Sequence, residues 1–390
     1  MSLIRKISIA TDDIFERIKI RRSKRYGLNK YKDKRRVAIY SKVNLTPEQK
    51  AAIDELYVKE YGEKIPYVWH RHFTAFTGKF DVGYFPESMF IPEFERYMSA
   101  NKEFAKVFTD KNMIPMLAAA AGVKTAECLL CRVRGAFRDG NNHIISREEF
   151  ISRLSDIGEV FMKPSVDTSS GQGCALADFS GGTDKRSGKT ATEIVDGMGS
   201  DFVVQSRIKC HESITKIYGG SVNTFRIITY RWRDKILSLP IIMRIGSGGG
   251  FVDNAHAGGM FIAVDDDGTL HKTAFTEFKC EFTEHPDTHL VFEGYKIDGV
   301  PAALAAAKRL HECVPQIGCV NWDLTLDSEG EPVLIEANMN NGNSGGSIWL
   351  CEMAHGKAPF GDNTREVLRW LRVMKHVPKS KWHKYAFGNM

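Results

Sequence analysis

The sequence predicts an α+β fold. In the second half of the chain, alternating apolar residues predict more strands than helices, with helices interspersed between them. Four of these strands form two predicted hairpins, 223–232 with 235–245 and 320–326 with 332–338. Most of the first 122 residues instead carry helical spacing. The chain therefore combines a helical start with a strand-rich body.

Composition narrows the class of protein. The 390 residues are 43% hydrophobic and 26% charged, as in a soluble globular protein. A large share of the net charge of +6 lies in the first 36 residues. Such a basic segment can contact nucleic acid or an anionic membrane surface, but we favour a solvated helical face. The rest of the chain lacks the interleaved basic and aromatic pattern of a nucleic-acid groove, so we predict no nucleic-acid partner.

The N-terminal region is predicted to be helical and to pack on the body. Residues 1 to about 36 form an expected amphipathic helix, with Ile4, Ile7, Ile14 and Ile18 on its packing face. A second helix begins at Thr46 and ends near Gly62.

Neither a membrane span nor a disulfide framework is expected. The longest apolar run, 113–123, is far shorter than a membrane span, and the N-terminus lacks the apolar stretch of a signal peptide. The eight cysteines are scattered, and only Cys128 and Cys131 stand close together. We interpret them as free thiols rather than as a zinc site. These features predict a cytoplasmic protein without a transmembrane segment.

The segment 319–346 carries the clearest chemical pattern. Residues 320–326 and 332–338 are strands joined by the turn sequence DSEGE. Because side chains alternate along a strand, Glu336 and Asn338 share a face, and Asp323 meets that face across the hairpin. Two carboxylates and an amide are the hard oxygen ligands that Mg²⁺ takes beside nucleotide phosphates. The alternative is a solvated hairpin face.

A basic residue and a glycine-containing loop point to phosphate binding. Lys163 ends a predicted buried strand, and the small-residue loop 165–173 follows it directly. Glycine lets such a loop approach a phosphate closely, and the lysine supplies a point charge. Arg226 and Arg244, each on a predicted strand, suit stabilising charge on a transferring phosphoryl group. For each arginine, a structural ion pair is the alternative.

Several segments of the sequence together resemble a known group of proteins. The resemblance rests on WHRHFTAFTGKFDVGYFPE (69–87), DKN (110–112), FMKPSVDTSSGQG (161–173), VVQSRI (203–208), VNTFRIITYRW (222–232), DNAHAGG (253–259) and GCVNWDLTLDSEGEPVLIEAN (318–338). These segments resemble the ATP-grasp superfamily, in particular the sugar-transfer-associated ATP-grasp proteins found among polysaccharide biosynthesis genes. The resemblance extends from about residue 65 to 346. It implies two α+β subdomains that clasp ATP between antiparallel sheets.

The resemblance also implies roles for individual residues. The implied nucleotide-binding residues are Lys111 and Lys163 at the phosphates, Ser169, Ser170 and Gly171 in the phosphate loop, Gln205, Ser206 and Ile208 along the adenine, and Glu212 at the ribose. The usual glutamate at the hinge is Gln205 here. Asp323, Glu336 and Asn338 match the ligands of two Mg²⁺ ions, for which Mn²⁺ is an alternative. Arg226 matches a phosphate-contacting arginine, and Arg244 and Asn338 complete the catalytic set.

The implied reaction is ATP-dependent ligation through an acylphosphate. A substrate carboxylate attacks the γ-phosphate, and an amine or thiol then displaces the phosphate, so no protein nucleophile is required. The expected substrates are a small-molecule carboxylate and an amine, with a sugar- or glycan-linked acceptor as one option. The expected substrate-binding residues are Arg244, Asp253, Asn254, His256 and Asn341. His256 either helps deprotonate the amine or is a substrate-binding or structural histidine.

Two alternative functions and a domain division complete the sequence predictions. One alternative is an ATP-grasp kinase of small molecules. The other is a nucleotide-binding scaffold for glycosyl-transfer partners. The predicted division is a helical, aromatic-rich region at 1–100, a small subdomain with the phosphate loop at 101–202, and a large subdomain with the Mg²⁺ site and a C-terminal helix at 203–390.

Overall fold

The fold is taken from a computed structural model, which describes residues 3–99, 102–166, 172–179, 181–251, 253, 259–339 and 348–389. The α-helices are α1 Leu3–Lys30, α2 Lys34–Tyr40, α3 Pro47–Leu56, α4 Val68–Thr77, α5 Glu87–Met89, α6 Arg96–Met98, α7 Lys102–Thr109, α8 Ile114–Ala120, α9 Arg147–Asp156, α10 Ala191–Gly197, α11 Glu212–Thr215, α12 Val300–Glu312, α13 Ile348–His355 and α14 Thr364–Met374. Among the described residues, Tyr57–Tyr61 and Phe90–Glu95 are π-helical turns, and Lys111–Met113 and Gly361–Asn363 are 3₁₀ turns between helices. Two further 3₁₀ turns, Lys379–Lys384 and Ala386–Gly388, follow α14.

The strands form two sheets. They are β1 Lys124–Thr125, β2 Cys128–Val133, β3 Ala136–Asp139, β4 Glu159–Pro164, β5 Ala175–Asp178, β6 Phe202–Ser206, β7 Thr224–Trp232, β8 Lys235–Ser238, β9 Ile241–Ile245, β10 Met260–Val264, β11 Leu270–Phe275, β12 Glu281–Phe282, β13 Cys319–Leu326 and β14 Pro332–Asn338. In the described residues, nine strands form a large sheet in the order β1-β14-β13-β7-β9-β10-β11-β12, with β8 paired to β7. Five strands form a small antiparallel sheet in the order β3-β2-β6-β4-β5.

The large sheet is buried on both faces. Because side chains alternate across a strand, Ile227 of β7 and Ile241 of β9 pack with α8 and α12 on one face. Ile228 and Ile242 pack on the other face with α3, α4, α13 and α14. The small sheet has a separate core against α9 and α10. The predicted α+β class is therefore confirmed.

The N-terminal helix packs through a different face from the one predicted. Ile14 is 58% exposed and Ile18 is 38% exposed, so the prediction that these two pack on the body is wrong. The side chains of Ile4 and Ile7 lie outside the described residues, and their packing stays a prediction. The helix is held instead by buried Glu16, which pairs with Arg96 at 2.6 Å, and by Lys24, whose ammonium lies 2.6 Å from Glu93. Charged side chains that form ion pairs with the body therefore lie on the packed face of this helix. The spacing of apolar residues alone does not show that these charged positions are packed.

The other predicted elements agree with the structure more closely. Thr46 caps α3 with a reciprocal capping box, and the chain leaves the following π-helical turn at Gly62, where φ is +92°. Both predicted hairpins form, β7 with β8 and β9, and β13 with β14. The predicted division at 202 and 203 falls inside β6, and the domain boundaries stay a prediction. No helix of the described chain has the length and apolar character needed to cross a bilayer.

Candidate active site

The centre of the candidate site is a carboxylate on the middle strand of three neighbours. Asp323 of β13 lies opposite Arg226 of β7 on one side and opposite Glu336 of β14 on the other. Cross-strand partners project from the same face of a sheet. The predicted shared face of Asp323 and Glu336 is therefore present in the structure. Asp323 is only 1% exposed, and its Oδ1 lies 2.5 Å from Nε of Arg226.

A second arginine joins the cluster from the next strand. Arg244 of β9 lies 3.2 Å from Oδ2 of Asp323 and 3.5 Å from Oδ2 of Asp253. The hydroxyl of Thr224, opposite Arg244 in the register, accepts hydrogen bonds from Nε at 3.1 Å and from the guanidinium end at 2.8 Å. The same hydroxyl donates to Asp253. Asp253 and Arg244, both predicted to bind substrate, thus belong to the same network as Asp323.

Two lysines approach Glu336, Lys111 from the turn before α8 and Lys163 from the small sheet. Nζ of Lys111 lies 3.2 Å from Oε1 of Glu336. Lys163, on β4, is buried and lies close enough to Glu336 and Lys111 for both charges to affect its pKa. The backbone N–H of Lys111 donates to the carbonyl of Ser165 at 2.9 Å, which ties the two lysine-bearing segments together. One predicted phosphate lysine, Lys111, therefore contacts a carboxylate of the predicted metal set, and the other, Lys163, lies near enough for its charge to act on that carboxylate.

Electrostatics favour an ionised Glu336 beside these lysines. Burial, the largest effect, raises the pKa of Glu336, yet the Lys111 and Lys163 ammonium groups outweigh it and hold the pKa below its ordinary value. Burial lowers the pKa of Lys163, and Glu336 opposes that shift. Burial also raises the pKa of Asp253, whereas Arg244 acts in the opposite direction. Removal of either lysine would leave the partly buried Glu336 carboxylate with less compensating charge, which is costly.

The donor set fits a magnesium ion. Nδ2 of Asn338 donates weakly to Oδ2 of Asp323 at 3.4 Å, so the amide oxygen of Asn338 is directed away from that bond. Asp323 and Glu336 add carboxylate oxygens from adjacent strands. Mg²⁺ prefers oxygen ligands of this kind. The fit rests on the chemistry of the side chains.

The predicted adenine strand is part of the small sheet, whereas the predicted ribose residue is solvent-exposed. Gln205 of β6 is buried, and it pairs with Phe161 of β4 on one side and with Cys128 of β2 on the other. The backbone N–H of Ser206 donates to the Glu127 carbonyl at 3.0 Å. Ile208 follows the end of β6. The side chain of Glu212 is 71% exposed and pairs with Lys216 at 3.1 Å. The contacts of Glu212 therefore link it to its own helix rather than to the cluster around Asp323.

Six predicted site residues lie outside the described residues: Ser169, Ser170, Gly171, Asn254, His256 and Asn341. Their assignments stay predictions. One contributor to the network, Thr224, was not predicted. The sequence did contain a signal for it, because Thr224 stands two residues before Arg226 on a strand and must share its face.

The chain matches the sequence model of one protein family. A family model described as sugar-transfer associated ATP-grasp matches residues 92–365, which is well over half of the chain. The chain belongs to this ATP-grasp family. The predicted family and the predicted ATP-grasp fold are therefore confirmed. Among curated proteins, no sequence matches the chain.

Solved structures similar to this ATP-grasp protein are distant in sequence. They include the VanG D-Ala:D-Ser ligase of Enterococcus faecalis (13% identity, 69% of this chain and 62% of that chain, TM-score 0.39). The D-alanyl-alanine synthetase A of Vibrio cholerae is also similar (13% identity, 68% and 65%, TM-score 0.38). A third is the D-alanine–D-alanine ligase of Bacillus anthracis (12% identity, 71% and 69%, TM-score 0.36). The chain spans about three-fifths of the length of the first of these ligases.

Proposed function

We propose that this ATP-grasp protein is an ATP-dependent carboxylate–amine ligase, with a thiol as an alternative acceptor. The observation that supports this most directly is the convergence of Lys111 and Lys163 on Glu336, beside Asp323 and its two arginines. Two ammonium groups, two guanidinium groups and three carboxylates, those of Asp323, Glu336 and Asp253, lie in one cluster and suit a substrate with several phosphates and its metal ions.

In this proposal the lysines neutralise the phosphates of ATP. Lys163 is buried at the end of β4 and is only partly compensated by Glu336, so an anion beside it would relieve the cost of its burial. Lys111 already lies at ion-pair distance from Glu336, and it can turn from that carboxylate to a phosphate oxygen. Gln205, Ser206 and Ile208 would lie along the adenine, and Ser169, Ser170 and Gly171 would cover the phosphates. Glu212 stays the proposed ribose residue.

Asp323, Glu336 and Asn338 would hold Mg²⁺, with two ions as the proposed number and Mn²⁺ as a substitute. When bound, the metal supplies positive charge to the phosphate oxygens. Arg226 and Arg244 keep Asp323 fixed on the sheet, because each guanidinium contacts a carboxylate oxygen at 3.2 Å or less. The arginines thereby orient the proposed metal ligand and offer donors to a transferring phosphoryl group.

The proposed chemistry has two displacements. An oxygen of the substrate carboxylate attacks the γ-phosphorus, and the bond from that phosphorus to the ADP oxygen breaks. The amine then attacks the carbonyl carbon of the acylphosphate, the C–O bond to phosphate breaks, and the amine loses a proton. Arg244, which contacts Thr224 and Asp253, would orient the substrate carboxylate in this proposal. His256, Asn254 and Asn341 are the remaining proposed contacts of the second substrate.

The name of the family supports a substrate connected with sugars. We propose a sugar acid or a glycan-linked acceptor, within polysaccharide or cell-surface glycan synthesis. This finer assignment depends on the family description alone, and the ligase proposal stands without it.

The test is to trap the acylphosphate. The full chain would be incubated with ATP, Mg²⁺ and a panel of carboxylates including sugar acids, with hydroxylamine in place of the amine. Formation of a hydroxamate together with ADP and phosphate is the expected result. ADP with a stable phosphorylated product would instead identify a kinase. No ATP consumption with any carboxylate or alcohol, in protein that still binds ATP, would favour the scaffold function.

A further inference from the structure

A second polar cluster lies on the large sheet, on strands that do not carry the Asp323 network. Asp265 follows β10, His271 lies on β11, and His355 ends α13, which packs against both of these strands. One carboxylate oxygen and one nitrogen from each ring lie within 4.8 Å of one another. The two imidazole rings are 4.9 Å apart between centroids.

His355 has the features of a metal ligand held by the protein. It is only 3% exposed, and its Nε2 lies 2.7 Å from the carbonyl oxygen of Ile241. A carbonyl oxygen can only accept, so Nε2 carries the hydrogen. In the neutral ring, Nδ1 is then the nitrogen that offers a lone pair. That Nδ1 is buried and has no hydrogen-bond partner.

This arrangement matches the way proteins prepare histidines for metals. A ligating histidine almost always donates its other ring N–H to a carbonyl or carboxylate, which fixes the tautomer and the orientation of the ring. A buried imidazole nitrogen without a partner is costly in a protein that binds nothing there. Two imidazoles and one carboxylate form a donor set that suits zinc and similar ions rather than Mg²⁺.

His271 and Asp265 complete the set from the exposed side. Nε2 of His271 lies 3.0 Å from Oδ1 of Asp265. Ligand atoms of a tetrahedral zinc site are about 3.3 Å apart when each bond is about 2.0–2.1 Å. Asp265 and His271 are therefore already at the required separation, and a small movement of the partly exposed His271 ring would close the set on His355. On binding, Nε2 of His271 would offer its lone pair to the ion, and the ring hydrogen would lie on Nδ1.

The geometry points to a binding site for Zn²⁺ or a similar divalent transition metal formed by Asp265, His271 and His355, with the fourth position open to water or another ligand. The site joins the turn after β10, strand β11 and the end of α13. A bound ion would therefore fix the position of α13 against the large sheet. The site is separate from the proposed Mg²⁺ ligands and does not depend on the ligase proposal.

Zinc binding would be measured by calorimetry on the metal-free full chain, in buffer with millimolar Mg²⁺ to occupy hard-oxygen sites. We expect one equivalent of Zn²⁺ with a dissociation constant in the micromolar range or tighter. The variants His271→Ala and Asp265→Asn should each weaken binding about tenfold or more, because each removes one of three ligands. Both residues are partly or fully exposed, so the variants are expected to fold.

Two controls make the result specific. His289 lies 3.1 Å from Glu284 in an exposed histidine–carboxylate pair that has no second histidine, so His289→Ala should bind zinc as the parent does. A Cys128→Ser/Cys131→Ser variant should also retain the site. Equal zinc binding by the parent and by His271→Ala would overturn the proposal, as would loss of binding in the cysteine variant alone.

Discussion

One face of the large sheet is a core at one end and a candidate catalytic surface at the other. Along β7, Ile228 and Tyr230 pack beneath the N- and C-terminal helices, whereas Arg226, two residues before Ile228, faces Asp323. On β9, Ile242 is likewise in the core and Arg244 is in the polar network. The change takes place over one strand repeat, or about 7 Å. The same backbone register that orders the core therefore also sets the spacing of the arginines and carboxylates.

The largest expected effect concerns a carboxylate at the polar end. Glu336→Gln keeps the shape of the side chain but removes the charge that the two lysines face and that a metal would require. We expect ATP turnover to fall about a thousandfold or more, which corresponds to about 4 kcal/mol. Steady-state ADP release measures this, and circular dichroism checks the fold. The exposed Glu331 in the turn of the same hairpin supplies the control, since Glu331→Gln should turn over normally.

A substitution at the apolar end should affect stability rather than chemistry. Ile228 is fully buried, so Ile228→Ala should lower the free energy of unfolding by about 3 kcal/mol through lost contacts and an unfilled cavity. Thermal unfolding would measure the change. Turnover per folded molecule should stay within about twofold of the parent. A loss of turnover as large as that of Glu336→Gln would show that the two ends are not separable.

Lys163 tests whether the small sheet supplies charge to the polar end. Lys163→Met retains most of the packing of the aliphatic stem and removes the ammonium group. We expect ATP to bind about ten- to a hundredfold more weakly by calorimetry, because a buried point charge near the phosphates is lost. Lys185, which is exposed and lies 3.3 Å from Asp178 on the same sheet, gives the matched Lys185→Met control. Unchanged ATP affinity in Lys163→Met would contradict the phosphate role.

Thr224 tests the network around Arg244. Thr224→Val has nearly the same shape but cannot accept the two hydrogen bonds from Arg244 or donate to Asp253. We expect the KM for the carboxylate substrate to rise about tenfold, with a smaller change in kcat, since Arg244 would lose its fixed position. An equal rise in the KM for ATP and for the carboxylate would assign the network to the nucleotide instead.

Glu212 should give the smallest effect. Its exposed side chain already pairs with Lys216 of the same helix, so the proposed ribose contact would add little affinity, and Glu212→Gln is expected to weaken ATP binding about two- to threefold by calorimetry. A loss of tenfold or more, with normal affinity for a 2′-deoxy nucleotide, would establish the ribose contact that the family resemblance implies.

Much of the strand pattern was predictable, because residue type and local spacing determine it. The hairpin of β13 and β14 has alternating side chains and a turn at Asp327–Glu331, where Gly330 adopts a φ of +84°. The buried face of α1 was not predictable. Its inner positions include Glu16, which is stabilised by Arg96 from a segment 80 residues later in the chain. Sequence periodicity treats a charge as exposed, and only tertiary structure supplies the partner.

The candidate site likewise contains residues whose proximity the sequence predicts and residues whose proximity it does not. Asp323, Glu336 and Asn338 could be placed together from strand alternation, since they belong to one hairpin. The contact of Lys111 with Glu336 could not, because it depends on how α7 and α8 pack beside β14. The role of Thr224 followed from the register between β7 and β9, which the sequence of each strand leaves open. Local chemistry predicts which side chains are suitable, and the packing of distant segments decides which of them meet.

The route of the chain between the two sheets determines which sheet carries each of the two site lysines. The chain crosses from the large sheet to the small one after β1, which pairs with Val333 and Leu334, and returns before Cys210, which bridges to Asp327. Both connections between the sheets lie at the turn end of the β13–β14 hairpin. Lys163 is part of β4 in the small sheet. Lys111 instead precedes α8, and Ile114 and Leu117 of α8 belong to the core of the large sheet. The backbone hydrogen bond from Lys111 to Ser165 therefore joins the core of the large sheet to the end of β4, and the separation of the two ammonium groups depends on how the two sheets are connected.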